Sequence, residues 1–173
     1  MTNAHKNLTK AENLQARLAK DALVARNILE TEKCEDKLST YATNWKRVAK
    51  RTNNEMLAAL AKEAATAARM PAAANDSKIE TIARSAAIKA CSLQGKMCAR
   101  SNMMFARYGY AQTTLRLAKK AQGNDMFHKM CELGLVEYTA QYIVYTHMLD
   151  FVSDDIAETL LLLLIEAGIA EEL

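Results

Sequence analysis

The chain has 173 residues, half of them hydrophobic and a quarter charged, with a formal net charge of +3. That composition suits one globular core and excludes a chain too polar to fold. The longest apolar run, residues 160–165, falls far short of the roughly 20 residues a membrane-spanning helix needs, and the N-terminus has no secretory-type apolar segment. An intracellular, cytoplasmic protein without a membrane span is therefore expected.

Charge is sorted along the chain. Residues 37–120 carry 16 Lys and Arg against 4 Asp and Glu, a net of +12. Residues 121–173 carry 1 against 10, a net of −9, and residues 1–36 balance at 6 and 6. Five Gly and one Pro make turns scarce, and the dominant residues, Ala, Leu, Lys, Glu, Met and Arg, favour helix. The expected fold is all-α, an elongated antiparallel bundle of five to seven helices. It has two long helices and a compact C-terminal sub-bundle within a single domain over residues 1–173.

Residues 8–70 lack both Gly and Pro, and apolar spacing predicts helix throughout with one shift of register. Leu14, Leu18, Ala22, Ala25, Ile28 and Leu29 make one apolar face. Residues 30–37 are polar apart from Cys34 and read as a break. Leu38, Tyr41, Trp45, Val48 and Thr52 then step by threes and fours, the spacing of a coiled-coil seam. Lys46, Arg47, Lys50 and Arg51 lie opposite that seam. Thr52 and Glu55 have the spacing of a capping box, followed by an Ala-rich face of Met56, Leu57, Leu60, Ala61, Ala64 and Ala68. Pro71 ends this helix, and residues 71–76 read as a linker.

Ser77 and Glu80 form a second capping box, opening a helix expected to run unbroken over residues 77–121. Turned at about 100° per residue, Lys78, Lys89, Lys96, Arg100 and Arg107 fall within an arc of about 40°. On an unbroken rod they would line about 44 Å. Cys91, Gly95, Cys98, Asn102 and Gly109 share another face. Interior Gly costs about 1 kcal/mol relative to Ala, so this row reads as a seam where a second helix packs closely.

Residues 122–125 are a stop followed by a start, with Gly123 as a C-terminal cap and Asp125 as an N-cap. A short helix runs to Leu133, with Gly134 as its cap. Residues 135–152 are apolar on most sides and read as one central helix. Ser153, Asp154 and Asp155 open the acidic last helix of residues 125–173, and Gly168 ends it.

No Gly-rich phosphate loop, Gly-x-Ser-x-Gly or dinucleotide fingerprint is present, so no enzyme activity and no cofactor are expected. His128 and Glu132, or His147 and Asp150, are close on helical spacing but lack a Glu-x-x-His pair. A remote alternative is metal binding by Cys91, Cys98, His128 and Cys131 with nearby methionines, although the spacing matches no common zinc site. Widely spread cysteines in an intracellular chain are expected to stay reduced.

A basic block calls for an anionic partner. The favoured expectation is a non-catalytic assembly or scaffold subunit that self-associates through helical packing and basic-to-acidic contacts. The alternative is a nucleic-acid-associated protein that tracks a phosphate backbone without sequence specificity. Lys46, Arg47, Lys50, Arg51, Lys78, Lys89, Lys96, Arg100 and Arg107 are the candidate contacts.

Overall fold

A computed structural model describes residues 10–95, 99–120 and 125–169, with side chains described from residue 17 onward. These residues are all-helical, forming eight α-helices and two single-turn 3-10 helices without a strand. Their contacts gather into two compact units, residues 1–69 and 70–173.

The first unit holds α1 (Lys10–Thr31), α2 (Glu35–Thr52) and α3 (Glu55–Ala67). The polar break after α1 is as short as three residues because Glu32 organises it. Its carboxylate accepts the Cys34 N–H at 3.0 Å and the Lys33 N–H at 3.1 Å, and faces Lys37 at 3.4 Å. Those backbone hydrogen bonds, the Cys34 one foremost, hold the Glu32 carboxyl below its ordinary range.

Leu18, Ala22, Ala25 and Leu29 are buried along α1, as their spacing predicts. On α2 the buried row is Leu38, Ala42 and Ala49, while Val48 and Thr52 of the expected seam are exposed. Small side chains let α2 lie close against the Ala-rich α3, and that turns the buried stripe toward Ala42 and Ala49. Tyr41 and Trp45 stack on each other at its edge, 5.4 Å between centroids.

The capping box expected from Thr52 and Glu55 does not form. Asn53 ends α2 in the left-handed conformation (φ 51), and Asn54 is the N-cap of α3. The Asn54 carbonyl oxygen accepts the Leu57 N–H at 3.0 Å, and its amide donates to the Leu18 carbonyl at 3.1 Å. Asn can serve both partners because it carries an acceptor and a donor; Thr52 instead donates back to the Val48 carbonyl. An Arg26–Glu63 ion pair at 2.7 Å, with Glu63 buried, ties α1 to α3.

The second unit holds α4 (Lys78–Gln94), α5 (Ala99–Ala118) and α6 (Asp125–Glu132). After a 3-10 turn at Val136–Tyr138 come α7 (Ala140–His147), a second 3-10 turn at Leu149–Phe151, and α8 (Asp154–Glu166). Its core joins Leu115 and Ala118 of α5, Val144 of α7, Met148 after it, and Leu160 of α8.

The helix expected over residues 77–121 is not one rod. Gly95 (φ +70) is the left-handed C-cap of α4, and its N–H donates to the Ser92 carbonyl. Gly109 (φ 76, ψ 173) breaks α5 internally. Nor are residues 135–152 one central helix. Thr139 starts α7 afresh, its hydroxyl accepting the Tyr142 N–H at 3.2 Å and donating to the Val136 carbonyl at 2.7 Å. Gly134 does cap α6: its N–H bonds Cys131 and the Leu135 N–H bonds Met130, the paired closure of a Schellman turn. The stop expected at Gly123 lies outside the described residues, and α6 begins at Asp125. Ser153 precedes α8 as expected, but its side chain makes no capping hydrogen bond.

Glu80 explains the break at Gly109. Ser77 caps α4 as expected, accepting the Glu80 N–H at 3.2 Å, but the Glu80 carboxylate does not reach back. It is buried and turned toward α5, where it accepts the Tyr110 and Ala111 N–H groups at 2.8 Å each. A third donor, the Ala74 N–H, lies at 3.3 Å. A carboxylate from another helix thus caps the second half of α5 at the positive end of its dipole. Residues 71–76 are fastened by the same node, since the Pro71 carbonyl accepts the Tyr110 hydroxyl at 2.6 Å.

Burial pushes the Tyr110 hydroxyl up to about 12 from an ordinary 10, against a smaller opposing pull from Arg84. The folded state thus keeps a proton that the unfolded chain releases near 10. Stability from this group is complete below about pH 10 and falls as pH rises toward about 12. Urea unfolding on both sides of pH 10 is expected to show a steeper alkaline loss for the wild type than for Tyr110→Phe, and equal slopes would refute this role.

Candidate functional site

The four cations predicted on α2, Lys46, Arg47, Lys50 and Arg51, are all exposed. By helical angle they occupy an arc of about 140° away from the buried Leu38, Ala42 and Ala49. Among the described residues none of the four is ion-paired; Arg47 donates to Asn44 at 3.3 Å. Lys50 and Arg51 lie in the last turn of α2, where cations suit the negative end of the dipole. Their placement therefore has a local reason, and their crowding without acids leaves an uncompensated positive face.

The other predicted cations are not brought into one line. Lys78 is exposed at the start of α4, and Lys89 lies over the Tyr138 ring at 5.7 Å. Lys96 lies outside the described residues. Arg100 and Arg107 belong to α5, beyond the Gly95 cap. Arg107 lies 5.2 Å from the Tyr108 ring, which also carries Arg116 at 3.9 Å. A stripe of five cations needed a continuous rod, and the left-handed turn at Gly95 removes it.

The predicted packing seam dissolves for the same reason. Among the described residues a Cβ on Gly95 would meet nothing within 4 Å, so no described helix packs closely there. At Gly109 the close neighbours are the Glu80 carboxylate and Ala74. Cys91 is buried, Asn102 is half-buried, and Cys98 lies outside the described residues. The glycines are there for their positive φ, which ends one helix and breaks another.

Among the described residues no three of His, Cys, Asp and Glu gather closely enough to hold a metal ion. Of the remote metal set, Cys91 is buried on α4, Cys131 is half-buried on α6, and His128 is exposed with its ring edge-on to Phe127. Burial raises the Cys131 thiol above its ordinary pKa. None of Cys34, Cys91 and Cys131 is in a disulfide.

A second charged face was within reach of the sequence but was not singled out. On α8, Asp154, Asp155, Glu158, Leu162, Ile165 and Glu166 are all exposed and share an arc of about 120°. Leu160 and Leu164 are buried on the opposite side. This helix contains no Lys or Arg. Two large aliphatic side chains, Leu162 at 54% and Ile165 at 44% exposure, therefore stand among four carboxylates. Nearby in sequence, Leu149 and Phe151 are exposed as well.

The chain matches none of the family models, curated proteins or solved structures compared with it. Among the described residues no helix is long and apolar enough to cross a membrane.

Proposed function

We propose that this protein is a non-catalytic assembly subunit whose copies join head to tail, the basic face of α2 on one meeting the α8 face of the next. The observation that carries this reading is the exposed pair Leu162 and Ile165 set among Asp154, Asp155, Glu158 and Glu166. A large exposed aliphatic recovers about 1.5–3 kcal/mol when fully buried, and carboxylates around it select a cationic partner. The α2 face answers with four cations and the exposed Val48. Its own charges repel one another, and a second copy relieves that repulsion.

The unpaired state of the α2 cations favours one other reading, a phosphate backbone on the same face. It differs in its salt response, because each phosphate contact contributes about 0.9 to the slope of log affinity against log salt on duplex DNA.

Mass photometry across protein and salt concentration tests the assembly. The wild type is expected to form concentration-dependent oligomers at low salt that dissociate as salt rises. Lys46→Glu with Lys50→Glu, or Asp155→Lys with Glu158→Lys, should each abolish them, and mixing the two variants should restore them. A wild type that stays monomeric throughout refutes the proposal. So does a salt-dependent oligonucleotide affinity lost by Lys46→Gln with Lys50→Gln while the oligomers remain unchanged.

A further inference from the structure

The second unit contains a cavity of about 190 Å³ between α4, α5, α6 and α7. Its origin lies in the composition of α4. Ala83, Ala86, Ala87 and Ala90 line one wall, and their short side chains do not reach the Phe105, Phe127, Met130 and Ile143 side chains across from them. The space opens partly to the surface, so water reaches it when no guest is bound.

Two polar side chains stand in the wall. Gln141 lines the cavity at 2% exposure and Thr114 at 5%. Among the described residues neither side chain makes a hydrogen bond. Both residues line the open space, so their polar groups are free to meet a guest. Gln141 sits in the first turn of α7, beside the Thr139 cap that also lines the cavity. No charged side chain lines the cavity among the described residues, so nothing in its described wall would pair with a charged guest.

We infer that this cavity is a binding site for a small neutral molecule with an apolar body and one hydrogen-bonding oxygen, which pairs with the Gln141 amide. A cavity of about 150 Å³ accepts benzene, so this one fits a single ring or a short alkyl chain with one substituent. The Gln141 amide would donate to the guest oxygen, and the Thr114 hydroxyl can accept or donate beside it. The ring would lie against the alanines of α4. This site is independent of the α2 and α8 faces, and its test does not depend on oligomerisation.

The experiment is a calorimetric or NMR titration of the full chain with benzyl alcohol, ethylbenzene and benzoate. Benzyl alcohol and ethylbenzene have nearly the same shape and differ in the oxygen. Benzyl alcohol is expected to bind saturably, about five-fold more tightly than ethylbenzene, the worth of one hydrogen bond, with benzoate weakest. Gln141→Leu should abolish or reverse the preference for the alcohol. Ala90→Leu, which extends a side chain into the space, should weaken both neutral probes while circular dichroism stays unchanged. The wild-type preference needs no variant, so the inference survives a variant that fails to fold. It is overturned if no probe binds saturably, if ethylbenzene binds as well as the alcohol, or if Gln141→Leu keeps the preference.

Discussion

Glu80→Ala is expected to destabilise the second unit by about 4 kcal/mol. Its carboxylate is the acceptor for two backbone donors of α5 at 2.8 Å, the buried Tyr110 N–H and the part-buried Ala111 N–H, and lies 3.3 Å from the Ala74 N–H. Hydrogen bonds to a charged group contribute about 1.5–3 kcal/mol each, and a buried donor left without an acceptor costs about 1–3 kcal/mol. Two such donors are orphaned at once, at a helix N-terminus where the dipole adds to the loss. Against a total of about 5–15 kcal/mol for a typical protein, this is a large fraction.

Glu80→Gln keeps the shape but sets an amide NH2 against one of the N–H groups. An intermediate loss of about 2 kcal/mol is expected. Urea unfolding followed by circular dichroism measures both, while Trp45, the single tryptophan and part of the first unit, serves as an internal control. An alanine variant within about 1 kcal/mol of wild type would show that the carboxylate does not hold α5 in place.

Gly109→Ala should be nearly as damaging, by about 3–4 kcal/mol, for a different reason. At φ 76 and ψ 173 the backbone sits where a side chain is strained by about 1–3 kcal/mol. In addition a Cβ would lie 2.9 Å from the Glu80 Oε1 and 3.4 Å from the Ala74 Cβ. The carboxylate would have to leave its position over the Tyr110 N–H.

Gly95 is the natural comparison. It has a positive φ of 70 but open space around a Cβ, so Gly95→Ala should cost only the left-handed penalty, about 1–2 kcal/mol. The two positions also differ in coupling. Combined with Glu80→Ala, the Gly109→Ala loss should shrink by about 1 kcal/mol or more, because the atom it collides with is gone. Full additivity in that double-mutant cycle would refute the steric link between the two residues.

The alanine and leucine spacing in α1, the Leu57, Leu60, Ala61 and Ala64 part of the α3 face, the Ser77 cap and the Gly134 cap were all legible from the sequence, whereas Met56 of the expected α3 face is exposed. Each depends on interactions within about one or two turns of chain. The outward cations of α2 were legible, but against the wrong row: the sequence set Lys46, Arg47, Lys50 and Arg51 opposite Leu38, Tyr41, Trp45, Val48 and Thr52, whereas the buried row is Leu38, Ala42 and Ala49. The acidic arc of α8 follows an equally simple period and could have been read from Asp154, Asp155, Glu158, Leu162 and Ile165.

What local pattern could not supply was the identity of partners far along the chain. Ser77 and Glu80 fit a capping box, and nothing within a few residues says that the carboxylate will instead cap a helix 30 residues later. Gly109 inside a good helix-forming stretch reads as a tolerated interior glycine until the Glu80 carboxylate arrives to stabilise the break. The same holds for Asn54, whose second hydrogen bond spans 36 residues to Leu18, and for the cavity beside α4, which exists because large side chains on other helices stop short of its alanines.

The sequence by itself determined that the chain is helical, which faces of α1 and α3 are apolar, and how charge is distributed, since propensity and period act over a few residues at a time. Only the tertiary structure decided that the basic segment is two helices with a kink rather than one rod. A buried carboxylate needs donors, and a broken helix end supplies them. That exchange is favourable only when α4 and α5 are packed together.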